Sequence, residues 1–306
     1  PMPLTTEDDG SCQKQMIGQK SRGNTRKLAT VARYVLMILL ALTFALPIIY
    51  MGVSSFKSYW QILGDIRSIR AFLPVGDLSF ANYEQAFNHV PVARFLLNSA
   101  LVTSLTVIGG LFVNSMAGFA LSRLRWKGQD IVLSVIVATI IIPFEAVAIP
   151  LLLIVNNLPW ISADGFALGW FNSYHVQIVP FIADAFSIYL FVQFFKGLPD
   201  ELFDAARIDG ASWFQVFLRI IVPLSGSVYA TTAILHFLAM WNQYLWPSLV
   251  IQTDEFRPIM VGYGYFYGGG GVSMAYLTIA TIPVLLLFFV FQNTFIKSIS
   301  ATGLKG

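Results

Sequence analysis

The chain has 306 residues, of which 56% are apolar, 15% aromatic and only 11% charged, with a mean hydropathy of +0.69, whereas a soluble domain carries roughly 25% charged residues. A soluble enzyme of this length would lack the side chains needed to cover its surface, so the composition predicts an integral membrane protein. A net charge of +3 gives no basic footprint for nucleic acid, and the single cysteine, Cys12, excludes an internal disulfide and a cysteine-based metal site.

Residues 1–27 are rich in Ser, Thr, Gln, Asp and Lys and nearly free of large apolar side chains. Such a segment buries too little surface to offset its ordering entropy, and residues 1–33 are expected to form a disordered tail. A helix needs about 20 apolar residues to cross a bilayer core of about 30 Å, and six runs qualify: Tyr34 to Met51, Phe95 to Leu121, Ile131 to Leu153, Val176 to Phe195, Ile220 to Trp241, and Met274 to Phe295. The runs are continuous rather than alternating, which excludes β-barrel strands. The expected fold is all-α, a polytopic membrane protein with six transmembrane helices over residues 34–306. The first run holds 18 residues, more than the about 7 to 15 of a signal-peptide core, and reads as a retained span.

Basic residues orient the bundle. With both termini cytoplasmic, the outside segments hold only Lys57, Arg67, Arg70, Arg94 and Arg257, leaving fourteen of the 19 Lys and Arg inside. The outside connections are then residues 52–94, 156–175 and 242–273. The first contains Pro74, Pro91 and the polar run Phe80 to His89 and reads as a small folded loop. Ser122 to Asp130 is a short basic turn on the inside.

The inside connection Lys196 to Arg219 carries the strongest local signals. Pro199 suits the first turn of a helix, and Asp200 and Glu201 fall where the positive end of the helix dipole favours carboxylates. Gly210 is placed to end that helix. Ser212 with Gln215 then forms a capping box for the next one. The prediction is a short helix over 199–210 lying across the cytoplasmic mouth. Ala205 and Ala206 allow close approach of another surface, while Leu202, Phe203 and Ile208 offer apolar anchors for a partner's groove; a plain interhelical connection is the alternative.

His89, His175 and His236 are isolated, with no acid at metal-ligand spacing, so no metal site is expected. No GxxxxGK[ST] phosphate loop occurs. The run Gly268-Gly269-Gly270-Gly271 lacks a lysine and faces outside. Without a catalytic constellation, the chain is not expected to be an enzyme.

Asp204-Ala205-Ala206, Gly210, Ile220 and Pro223 together resemble the EAA signature of ABC importer permeases: Glu-Ala-Ala, a Gly four residues later, and Ile-x-Leu-Pro after nine intervening residues. Asp204 stands where Glu is usual, and Val222 where Leu is usual. Further segments resemble the MalG-like branch of carbohydrate importer permeases: Ser54-Ser55-Phe56-Lys57, Asn82-Tyr83, Asn98-Ser99, Leu121-Ser122-Arg123-Leu124, Trp241-Asn242, Trp246-Pro247 and the ending Ala301-Thr302-Gly303-Leu304-Lys305-Gly306. The resemblance runs from about residue 34 to the end.

It implies a type I importer in a bacterial or archaeal cytoplasmic membrane, moving a sugar or glycoside by alternating access. Maltose-type oligosaccharides, trehalose, sucrose and osmoprotectants such as glucosylglycerol all fit. The implied partners are a MalF-like second permease, two ATPase subunits carrying ATP and Mg, an extracytoplasmic sugar-binding protein and the membrane lipid. The short helix would couple to an ATPase through Leu202, Phe203, Asp204, Ala205, Ala206, Asp209 and Gly210. Residues Tyr263 to Gly271 resemble a scoop loop reaching toward the binding protein, with Tyr263, Gly268, Gly269, Gly270 and Gly271 as its contacts, although glycine replaces the usual polar tip.

Acidic residues inside apolar helices face a bundle interior or a water-filled cavity, and sugars bind through hydroxyls to carboxylates and amides and through ring CH surfaces to aromatics. Glu145, Asp184, Trp241 and Asn242 are therefore pathway candidates. The structural alternatives are that Glu145, between Pro143 and Pro150, satisfies backbone groups freed by kinks, and that Asp184 pairs with a neighbouring helix. The rival function is a secondary transporter of a small solute using these carboxylates.

Overall fold

The computed structural model describes residues 9–162, 165–268 and 270–303. Helix α1 (Asp9–Ser54) opens the chain. Residues 9–33, expected to be disordered, continue α1 without a break. No proline interrupts them, and once an apolar helix is nucleated each added residue gains a hydrogen bond at low entropic cost.

A folded module follows on the far end of α1: α2 (Tyr59–Asp65), a 3₁₀ turn (Ile69–Phe72) and α3 (Ala81–His89). The 32-residue α4 (Val92–Arg123) then crosses back. Helices α5 (Gln129–Thr139) and α6 (Phe144–Asn157) make the third passage, and a two-stranded antiparallel hairpin, β1 (Pro159–Ser162) with β2 (Gly165–Leu168), caps it. Helices α7 (Tyr174–Ile182) and α8 (Ala185–Lys196) make the fourth. After α9 (Glu201–Ile208) come α10 (Trp213–Val216), a π turn (Phe217–Ile221), α11 (Val222–Leu224) and α12 (Gly226–Trp241). Two short helices, α13 (Leu245–Val250) and α14 (Ile259–Gly262), and a 3₁₀ turn (Tyr263–Phe266) lead into α15 (Gly271–Gly303).

Four stretches are long and apolar enough to cross a membrane, and two bent helix pairs bring the number to six if each pair is one span. Counted as single spans, the third and fifth are jointed, each at a break with a proline in it or just before it, of the kind that membrane helices tolerate. Between α5 and α6 the axis turns by 104°, because Pro143 lacks an N–H and forces the preceding Ile142 out of helical geometry. Alone, α5 and α6 measure about 16 and 21 Å at 1.5 Å per residue. In the fifth span the axis turns by 80° at Ser225, whose hydroxyl donates to the Ile221 carbonyl at 2.6 Å. Pro223, without an N–H, lies just upstream, and the π turn ends where Val222 N–H reaches back to the Phe217 carbonyl. The fourth span breaks without a sharp bend. Buried Asn114 of α4 bridges that break, accepting from Asp184 N–H and donating to the Ile182 carbonyl, both at 3.0 Å. Backbone groups freed inside a membrane must find such a partner.

Helix α4 is the central post, packed by α7, α8, α12 and α14. Gly118 lets α8 close on it: a Cβ there would sit 2.5 Å from the Phe191 Cβ. One aromatic core lies at the α9 end, around Phe119, Phe191, Phe195 and Phe217. Another lies at the opposite end, around Phe95, Trp241, Phe266 and Tyr276.

Several residues that carry the permease resemblance stitch that opposite end together. Buried Lys57 pairs with Asp65 at 2.9 Å, and the Asn82 amide donates to the Ser55 and Lys57 carbonyls, each at 2.8 Å. Asn98 donates to the carbonyls of Glu255 and Arg257 and accepts from the Tyr174 hydroxyl. The Ser99 hydroxyl accepts from Ile259 N–H, and the Trp246 indole donates to the Val176 carbonyl.

Candidate functional site

Helix α9 forms where the local signals place it. Asp200 is its N-cap residue, with Pro199 one position earlier rather than in the first turn, and Glu201 and Asp204 lie in that turn. Gly210 takes φ +81°, a left-handed conformation that ends the helix, with open space where a Cβ would sit. Ser212 and Gln215 close the capping box at 2.8 and 3.3 Å.

The helix has two distinct faces. Phe203 is 5% exposed and packs into the aromatic core, with half-buried Ala206 and Trp213 beside it. The sequence reading offered Phe203 to a partner as an anchor, but its own chain takes it up. Leu202, Asp204, Ala205, Asp209 and Gly210 face outward, and Ile208 is 86% exposed.

Arg123, at the end of α4, holds α9 in place. Its side chain is 10% exposed, and Nε donates to the Phe195 carbonyl at 2.9 Å. The other nitrogens donate to the carbonyls of Phe195 and Leu198 and to the Asp200 carboxylate, while the guanidinium lies 4.3 Å from the Phe203 ring centre. A planar fork of donors suits such multiple acceptance. Arg207 lies over Trp213 at 4.5 Å. Between the 122–126 turn and α9 runs a cleft of about 710 Å³ that includes Arg123, Arg125, Asp204 and Arg207 in its walls. Sequence reasoning counted Arg123 only as part of a motif and as an inside charge.

The four pathway candidates are not brought together. Asp184 caps α8, accepting from the Ser187 N–H at 2.7 Å and the Ser187 hydroxyl at 2.5 Å. Trp241 is 3% exposed, stacks on Phe237 and donates to the Ala280 carbonyl at 3.0 Å. Both have structural occupations. Glu145 and Asn242 stay on the surface of the chain: Glu145 in the first turn of α6 just past the joint, and Asn242 at the C-cap of α12, with its amide on the Leu238 carbonyl.

Of the loop residues at the opposite end, Gly269 lies outside the described residues. Gly270 and Gly271 are packing positions, since a Cβ on either would meet Tyr59 or Asn82 within 2.4 Å. Tyr263 is half-buried, and its ring lies 5.5 Å from that of Tyr267. Gly268 and its neighbour Tyr267 are exposed. Among the described residues, no group of three or more His, Cys, Asp or Glu is placed to hold a metal ion.

Residues 108–301 match the family of binding-protein-dependent transport system inner membrane components. The lactose transport system permease protein LacG of Rhizobium radiobacter is 31% identical over 279 residues, covering 89% of this chain and 95% of that one. The arabinooligosaccharides transport system permease protein AraQ of Bacillus subtilis (strain 168) is 29% identical, covering 82% and 90%. A chain in the crystal structure of a bacterial ABC transporter involved in the import of the acidic polysaccharide alginate shares the fold, with TM-score 0.70, 23% identity, and coverage of 88% and 97%. The jointed six-span bundle and the match across most of its length make the chain a member of the binding-protein-dependent transport system inner membrane component family, the non-catalytic permease subunit of an ABC importer.

Proposed function

We propose that this permease moves a neutral sugar or glycoside into the cytoplasm, with both termini on the cytoplasmic side and α9 as the element that docks on an ATPase. ATP and Mg would be held by two separate ATPase subunits. A MalF-like second permease would complete the membrane pathway, and an extracytoplasmic binding protein would deliver the sugar at the end carrying α3. The observation that carries this reading is the outer face of α9: Leu202, Ala205 and Ile208 lie exposed beside Asp204 and Asp209, on a helix anchored from behind by Phe203 and Arg123. A helix with apolar anchors and small residues on its free face suits a groove on a partner. The relatives named for lactose and arabinooligosaccharides favour a carbohydrate cargo. The secondary-transporter alternative loses support because Asp184, one of its two carboxylates, is engaged as a helix cap.

The test places changes on the outer face alone. Ile208→Asp and Ala205→Trp should abolish ATP-driven uptake and co-purification of the ATPase while membrane insertion and thermal stability of the chain persist. Unchanged uptake in both variants would remove α9 from the coupling role.

A further inference from the structure

We infer that the face of the chain carrying α3 contains a neutral-oligosaccharide subsite, set between Gln85, Asn88 and His89 on one side and Tyr265 and Tyr267 on the other; the inference rests on the carbohydrate-importer reading above. Two clefts of about 450 and 560 Å³ adjoin there and share Gln85 and Val272 in their walls. Each falls in the range of about 300 to 1,000 Å³ in which small-molecule sites are found.

Helix spacing puts Gln85, Asn88 and His89 on one face of α3, while the adjacent flank is fixed in the core by fully buried Ala86. Gln85 and Asn88 are exposed, and neither side-chain amide has a partner among the described residues. A free primary amide offers two donors and an acceptor, which matches a pair of neighbouring sugar hydroxyls. The first cleft has no carboxylate, ammonium or guanidinium in its wall, so its chemistry suits a neutral polyol.

The facing rings are held in advance. The Tyr265 hydroxyl donates to Asp254 at 2.8 Å, and the Arg257 guanidinium lies 5.1 Å from the ring centre. The Tyr267 ring lies against that of Tyr263, 5.5 Å between centres, yet stays 71% exposed. Rings fixed in this way present flat apolar faces to sugar CH groups with little ordering left to be done on binding. The second cleft adds the Tyr59 ring and the Asp77 carboxylate, an acceptor for hydroxyls. Two joined clefts favour an oligosaccharide over a single sugar.

The experiment uses the complete transporter in nanodiscs without the binding protein, with saturation-transfer NMR on lactose and maltotriose as probes and an acidic trisaccharide as control. Transfer to a neutral probe and not to the acidic one is expected. Gln85→Ala with Asn88→Ala, and separately Tyr267→Ala, should each weaken that binding about tenfold, equivalent to about 1.4 kcal/mol. Basal ATP hydrolysis, measured without the binding protein, should be unchanged in these surface variants. Absence of transfer to both neutral probes, or transfer unaffected by both variants, overturns the subsite. Loss of binding-protein stimulation with transfer intact also overturns it and assigns the clefts to protein docking. Failure of the wild-type transporter to take up sugar with ATP would instead defeat the carbohydrate reading of its cargo.

Discussion

Replacing Arg123 tests whether the hold on α9 comes from its exposed ion pair or from the carbonyls at the end of α8. The Arg123→Met variant keeps the apolar stem and removes every donor. Hydrogen bonds from a charged group contribute about 1.5 to 3 kcal/mol each, and Arg123 donates to two main-chain carbonyls, those of Phe195 and Leu198. The Asp200 carboxylate is 74% exposed, which limits that pair to about 0 to 1 kcal/mol, and the guanidinium over Phe203 adds about 1 kcal/mol. Because water at this end of the bundle replaces part of what is lost, the lower end of the range applies. Arg123→Met should therefore cost about 4 kcal/mol, and Arg123→Lys, a point charge that cannot reach all the acceptors at once, about 2. Asp200→Asn should cost less than about 1 kcal/mol. Denaturant unfolding of the detergent-solubilised protein, followed by tryptophan fluorescence, ranks the three. If Arg123→Met comes within about 1 kcal/mol of Asp200→Asn, the carbonyl contacts do not hold α9 and the reasoning fails.

Gly118→Val should overpack the α4–α8 contact, where the new Cβ would lie 2.5 Å from Phe191; a loss of about 1 to 3 kcal/mol is expected, read as a lowered unfolding midpoint, and an unchanged midpoint would deny the close approach. In the module between α1 and α4, the hydrogen bond from Lys57 is the chief cause holding the Asp65 carboxyl below its usual value of 3.8, with the charges of Lys57 and Arg70 reinforcing it against burial. A carboxyl depressed on folding contributes its full stability above that usual value and loses it as pH falls through the lower folded value. Thermal melting should thus decline on acidification below about pH 5, and Asp65→Asn should flatten that decline; a variant with the same acid dependence as wild type would exclude this pair as its source.

The spans were legible because a membrane helix needs only length and apolar composition, and α9 because cap, dipole and C-terminal glycine signals all agreed. Prolines marked where the spans could bend but not how sharply. Ile131 to Leu153 is as apolar on one side of Pro143 as on the other, and composition carries no angle. The partners of an intramembrane acid were hidden for a related reason: an acid in an apolar run announces that it needs partners, but not that Asp184 finds them in Ser187 three residues on. Arg123 was hidden because its acceptors are main-chain carbonyls 72 and 75 residues away, and a carbonyl has no letter in the sequence. The expected disorder of residues 9–33 rested on polarity alone, which says little about a helix already begun by its neighbour.

The guanidinium of Arg123 also has a mechanical meaning. One side chain ties together the ends of α4 and α8 and the start of α9. The sharp bends lie elsewhere, at Ser225 and between Thr139 and Phe144, where the axes turn by 80° and 104°. A displacement of α9 would be passed through this one side chain to the ends of α4 and α8, well away from the two bends.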